Sequence, residues 1–166
     1  KDAMPLQDAI KAIEEADAIV LGPGSLYTSI IPKLLVRDIA ESIRKSDAIK
    51  IYISNIMTQP GETHGFKASD HIRILNKYGV RGIIDYVVGN RGEIPSDIKE
   101  RYLKDNSQLV DLDSKEIKRL GVEVIEASLA KIEKGYVKHD SEYLAEVIVD
   151  TIMEKKLLYG LTIFLM

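Results

Sequence analysis

Apolar and polar positions follow a repeating grammar along the chain: a short apolar run, then a Gly or Asn, then a helical pattern. The runs are residues 16–21 (ADAIVL), 49–54 (IKIYIS) and 83–88 (IIDYVV). Each is too continuous in β-forming residues for an exposed antiparallel strand, which predicts buried parallel strands. Between the first two, Pro32 opens a predicted helix whose Val36, Ile39, Ala40 and Ile43 recur at helical spacing, with Ser46 and Asp47 closing it. Residues 68–78 repeat the helical pattern, and Gly79 supplies a C-cap. Further on, another helix begins near Pro95, residues 108–112 predict a short strand, 114–120 a helical turn and 122–127 a strand. Asp140 is the predicted N-cap of a helix over 141–155, with Leu144, Val147, Ile148, Thr151 and Ile152 on one face.

Strands alternating with helices define an α/β fold with a mainly parallel sheet. Because βα order sends every strand's carboxyl end to one edge, loops 22–28, 55–63 and 89–96 are expected to share a rim where open parallel sheets bind ligands. No sequence repeat or interior linker divides the chain, so residues 1–156 read as one α/β ligand-binding domain. The segment 157–166 (LLYGLTIFLM) is almost wholly apolar and stands apart. A bilayer span needs roughly 20 such residues. This segment is shorter, and reads as a last strand, a partner contact or a tail foreign to the fold.

Composition narrows the function classes. The 26 acidic residues outnumber the 23 basic ones, for a net charge of −3. General nucleic-acid binders carry a basic surplus that neutralises phosphates, so no nucleic-acid partner is expected. The chain has no cysteine, which excludes disulfides, thiolate metal sites and cysteine nucleophiles and makes a reducing cytoplasm the expected location. The opening residues lack the order of a signal peptide, no membrane partner is expected, and the start at Lys1 reads as that of a fragment.

The chemistry concentrates in two loops. Gly22, Pro23, Gly24 and Ser25 follow a buried strand, where glycines admit a close backbone approach and the hydroxyls of Ser25, Thr28 and Ser29 can face a ligand. That composition suits a phosphate or a sugar, and a tight strand-to-helix turn is the structural alternative. The second loop gathers Asn55, Thr58, Gln59, Glu62 and Thr63 after the next strand. Glu62 can accept sugar hydroxyls or act as a base, with a solvated loop carboxylate as its alternative. The three histidines, His64, His71 and His139, lack compact metal spacing, so these residues predict no metal site. GPGSL is not a serine-hydrolase nucleophile elbow, because Tyr27 replaces the glycine two places after the serine.

Taken together and in order, ADAIVLGPGSLYTSIIPKLLV, NIMTQPGETHGFKASDHI and VKHDSEYLA resemble the gluconeogenesis factor family, which is related to the 2-phospho-L-lactate transferases of deazaflavin coenzyme synthesis. The resemblance runs from about Ala9 to Lys155. It implies a Rossmann-like fold with helices on both faces of the sheet and a cytoplasmic location. For the regulatory branch it also implies binding of UDP-sugars such as UDP-N-acetylglucosamine, without cofactor or catalysis, in carbon metabolism and cell shape. The alternative is a transferase that moves a phospholactyl group onto a deazaflavin alcohol with Mg2+. That branch typically lacks the GPGSLYTSI wording, so the regulatory branch is the closer. Family members open with a Gly-rich GGGTG turn and an acidic Gly/Ser-rich segment that supplies the transferases' metal ligands. Neither occurs here, so the chain reads as the C-terminal part of a larger domain, expected to act as a homo-oligomer. The resemblance adds Tyr102 (in KERYLK) and Lys138 with His139 (in VKHD) to the ligand set. It gives Tyr102 a stacking or hydrogen-bonding role at the uridine, with packing on its helix as the alternative, and Lys138 a pairing role at the diphosphate, with a solvated residue before the N-cap as the alternative; the family usually has arginine at that place.

Overall fold

A computed structural model describes residues 4–164. The chain opens with α1 (Gln7–Glu14), an amphipathic helix that sequence reading did not anticipate. Four strands follow: β1 (Ala18–Leu21), β2 (Ile49–Ile53), β3 (Tyr86–Asn90) and β4 (Glu123–Ala127). They form one parallel sheet in the order β1-β2-β3-β4. The third strand lies later than residues 83–88. Pairing starts beside Asp85, whose carboxylate accepts the Lys50 N–H at 2.7 Å and whose own N–H reaches the Lys50 carbonyl.

Stepping through the sheet in one direction has a consequence for the helices. Right-handed crossovers then all fall on one face, here carrying α3 (Ile39–Lys45), α4 (Ala68–Leu75) and α6 (Ser114–Arg119). Their Ile43, Ile72, Leu75 and Ile117 form one buried cluster with Tyr52 and Val87 of the strands. Side chains alternate along a strand, so Ile51, Ile53 and Val88 point the other way. They pack against α5 (Ser96–Lys104) through Ile98 and against α7 (Ser141–Phe164) through Leu144, Val147 and Ile148. The central strands are therefore buried on both faces, which is why they read as continuous apolar runs.

Several expectations change in detail. The helix anticipated after Pro32 is interrupted: a wide turn over Leu26–Ile30 leads into α2 (Ile31–Leu34), and Asp38 then adopts φ 66° before α3 begins. Aspartate tolerates that left-handed conformation better than most residues. Residues 108–112 do not enter the sheet. They make one antiparallel bridge, Leu109 to Met57, and lie across the second loop. An unanticipated hairpin, β5 (Ala130–Glu133) paired with β6 (Tyr136–His139), turns at Lys134 and Gly135, both at positive φ. Asp140 caps α7 by accepting the Tyr143 N–H at 3.3 Å. The helix then continues to Phe164 across the expected boundary at 156/157, so the last-strand reading does not hold. No proline follows Lys155. Residues 165 and 166 lie outside the described residues. No described helix is long and apolar enough to cross a membrane.

Candidate functional site

At the carboxyl edge of the sheet, the loops after β1 and β2 meet the end of β6 around a cleft of about 370 Å3. The first loop contributes Pro23, Gly24 and Ser25, the second Asn55, Met57 and Gln59, and β6 contributes Lys138 and His139. The shared rim is thus built from two of the three expected loops. The loop after β3 is occupied elsewhere: the Asn90 side-chain carbonyl accepts the N–H groups of Gly92, Leu129 and Ala130, tying that loop to the start of the hairpin. The hairpin takes its place as the third wall. Two β-rich stretches separated by Lys134 and Gly135 were the available signal for it.

The first loop is held in advance of any ligand. Ser25 Oγ donates to Glu62 Oε2 at 2.6 Å and accepts from Thr28 twice, from its hydroxyl at 2.6 Å and its N–H at 3.1 Å. One donor and two acceptor positions exhaust a serine hydroxyl. The inward-pointing hydroxyl expected of Ser25 therefore tethers the two loops together. Gly22 stands at φ 98°, and a Cβ there would lie 3.0 Å from the Ile53 carbonyl oxygen. Its glycine serves the turn and the close passage over β2. Gly24 has no positive φ, and a Cβ there would touch Ser29 at 3.3 Å. Ser29 itself lines a different cavity, an apolar groove of about 570 Å3 beside β1 with Met4, Leu6, Ile19 and Leu21.

In the second loop the two threonines are structural. Thr58 is buried, and its hydroxyl oxygen accepts the Gln108 N–H at 2.9 Å while its carbonyl accepts the Ser107 hydroxyl at 2.5 Å. Thr63 is also buried and accepts the Gln59 N–H at 2.9 Å, closing the turn 59–63. These bonds, with Val110 N–H to the Ile56 carbonyl, explain why residues 107–112 run beside this loop and not in the sheet. Asn55 and Gln59, whose amides approach at 3.5 Å, remain turned to the cleft.

Tyr102 is half-buried against the third wall. Its ring packs in the second core cluster, and its hydroxyl accepts the Val137 N–H at 2.9 Å. This bond ties α5 to β6, and Tyr102 is not among the residues lining the cleft. Lys138 lines the cleft, but its ammonium pairs with Glu133 across the hairpin at 2.6 Å. His139 is partly buried, and Nε2 meets the Ser54 carbonyl at 3.2 Å. Burial pushes its pKa below the ordinary imidazole value, while the Ser54 carbonyl opposes that shift.

The model of the family described as 2-phospho-L-lactate transferase CofD matches residues 1–130. The chain belongs to this family. The gluconeogenesis factor of Bacillus subtilis is 43% identical over 150 residues, covering 90% of this chain and 47% of the relative. A relative from Thermoanaerobacterium thermosulfurigenes, which carries that name provisionally, is 50% identical over 149 residues, covering 90% of this chain and 46% of its own. A crystal structure from Bacillus halodurans superposes with a TM-score of 0.87 at 40% identity, covering 90% of this chain and 48% of that one. The chain thus spans about half the length of these relatives. The resemblance to gluconeogenesis factors and the α/β fold both stand on these findings.

Proposed function

We propose that this chain is the ligand-binding part of a gluconeogenesis factor. In this reading it binds a nucleotide sugar of the UDP-N-acetylglucosamine class in the cytoplasm and acts, as a homo-oligomer and without catalysis, in the regulation of carbon metabolism and cell shape. The observation that carries the proposal is the three-walled cleft at the carboxyl edge of the parallel sheet, where such folds bind their ligands. Its walls supply what a nucleotide sugar requires: side-chain amides of Asn55 and Gln59, an imidazole at His139, a cation at Lys138, and a glycine at position 24 that leaves the backbone accessible.

A second reading, a phospholactyl transferase acting on a deazaflavin alcohol with Mg2+, is favoured by the family description. The described residues contain no group of three His, Asp or Glu side chains able to hold a metal, and the acidic segment to which the resemblance assigns the transferases' metal ligands does not occur in this chain, so ligand binding and turnover decide between the readings. Calorimetry on the full-length protein separates the two. UDP-N-acetylglucosamine should bind saturably without turnover. Consumption of the deazaflavin acceptor in the presence of phospholactyl donor and Mg2+ would replace the first reading with the second.

A further inference from the structure

The imidazole of His139 has one nitrogen committed. Nε2 lies 3.2 Å from the Ser54 carbonyl oxygen, at the carboxyl end of β2. A carbonyl only accepts, so Nε2 carries the proton of this hydrogen bond. In a neutral ring the other nitrogen is then an acceptor. The ring is partly buried, and burial disfavours its charged form. Nδ1 forms no hydrogen bond among the described residues, and the residue lines the cleft. The contrast with Ser25 is informative, because that hydroxyl is exhausted by Glu62 and Thr28.

We infer that His139 acts as a neutral acceptor that reads a sugar hydroxyl through Nδ1, and so determines specificity for the sugar half of the ligand. Phosphate oxygens at neutral pH are themselves acceptors, so an unprotonated Nδ1 has nothing to offer a diphosphate. Sugar hydroxyls donate; a nucleoside diphosphate carries them only on its ribose, and a nucleotide sugar adds those of the terminal sugar, so comparison with UDP tells the two apart. The inference rests on the nucleotide-sugar reading above and assigns the sugar to the Ser54–His139 side of the cleft. It also divides two neighbouring residues by charge: Lys138 is a cation suited to phosphate, and His139 is a neutral group suited to a polyol.

The test uses two substitutions in the full-length protein, with UDP-N-acetylglucosamine and UDP as probes. His139→Gln keeps an amide N–H near the Nε2 position, to meet Ser54, and loses the Nδ1 acceptor. His139→Asn places its side-chain oxygen near Nδ1 and loses the Ser54 bond. The expected result is roughly fivefold weaker binding of UDP-N-acetylglucosamine by His139→Gln, UDP affinity unchanged, and affinity recovered towards the starting value in His139→Asn. Any other order of the two variants, or an equal loss for UDP, overturns the assignment. A second arm separates this inference from the nucleotide reading. If the unmodified protein binds neither nucleotide, the nucleotide reading fails. The imidazole 15N signals recorded with methyl N-acetylglucosaminide, which has hydroxyls and no phosphate, then decide the role of His139. A shift of the Nδ1 signal upholds it, and an unmoved signal overturns it.

Discussion

Lowering the pH should weaken this fold through one buried ring, His71 on α4. The ring is fully buried, and its Nδ1 lies 2.6 Å from the Tyr52 hydroxyl. Burial pushes the Tyr52 pKa well above its ordinary value, so this hydroxyl keeps its proton, and Nδ1 is its one acceptor among the described residues, which makes the hydroxyl the donor. Nε2 is then the protonated nitrogen of a neutral ring, and it has no partner among the described residues. Phe66 closes against the ring edge at a centroid distance of 5.8 Å. A second proton would create a buried cation, and desolvation lowers the His71 pKa from 6.5 to about 4, with the Asp70 carboxylate opposing the shift.

The sign follows from linkage. The folded-state pKa is depressed, so between pH 6.5 and about 4 the unfolded chain takes up a proton that the fold refuses. Stability is therefore full above pH 6.5, falls as the pH drops through that window, and levels below it. At 1.36 kcal/mol per unit, the depression is worth about 3 kcal/mol, a large part of a typical domain's stability. The assay is urea unfolding, followed by circular dichroism, between about pH 7.5 and about pH 4.5. His139, also depressed by burial, adds a loss of the same sign, so the informative quantity is the difference between the unmodified protein and His71→Leu. The variant is less stable at neutral pH because the Tyr52 hydroxyl loses its acceptor, and Tyr52→Phe in the same chain restores part of that loss. Over this range the acid-dependent loss should shrink by about 2.5 kcal/mol in His71→Leu. An acid response equal in both proteins would refute the reasoning.

Gly22→Ala should lower stability by at least about 1 kcal/mol, because it places a Cβ at positive φ against the Ile53 carbonyl; an unchanged urea midpoint would remove the turn argument. Thr58→Ala removes the hydroxyl that accepts the Gln108 N–H and should cost about 0.5–1.5 kcal/mol of stability, visible in the same measurement. Glu133→Gln frees Lys138 from its ion pair and should tighten UDP-sugar binding, whereas Lys138→Ala should weaken it and Lys138→Arg should retain it. Identical calorimetric affinities in all three would exclude Lys138 from the site.

The sheet was legible because its central strands are buried on both faces. The run IKIYI of β2 leaves little ambiguity, and βα order alone then places loops 22–28 and 55–63 at one edge. The direction of the polar groups within those loops was not legible. Thr58, Thr63 and Ser25 have the composition of ligand contacts, yet each is consumed by a local bond whose partner lies up to about 50 positions away in sequence. Tyr102 shows the same limit from the other direction. A motif can mark a position near the ligand while its side chain is bonded to the backbone of the wall, here at Val137 of β6. The third wall was missed because Lys134-Gly135 is a weaker turn signal than Asn-Gly or Asp-Gly, and the hairpin strands are only four residues each.

Glu62 joins these strands of argument in one last prediction. Its carboxylate accepts the Ser25 hydroxyl at 2.6 Å and has no ion-pair partner among the described residues. It therefore does two opposed things: it anchors the first loop to the second, and it leaves a negative charge near a cleft proposed to receive a diphosphate. The two effects separate by substitution. Glu62→Gln keeps an oxygen acceptor for Ser25 and removes the charge, so affinity for UDP-N-acetylglucosamine should rise, more at low salt than at high salt because the repulsion is screened. Glu62→Ala removes the anchor as well. Ser25 then loses its acceptor, the first loop is free to move, and ordering it again on binding costs roughly 1–2 kcal/mol for each residue fixed. Affinity should fall below that of the unmodified protein despite the lost charge. Calorimetry at two ionic strengths reads both effects. If Gln and Ala shift affinity in the same direction, Glu62 is not the tether, and the preorganisation argued for the first loop fails with it.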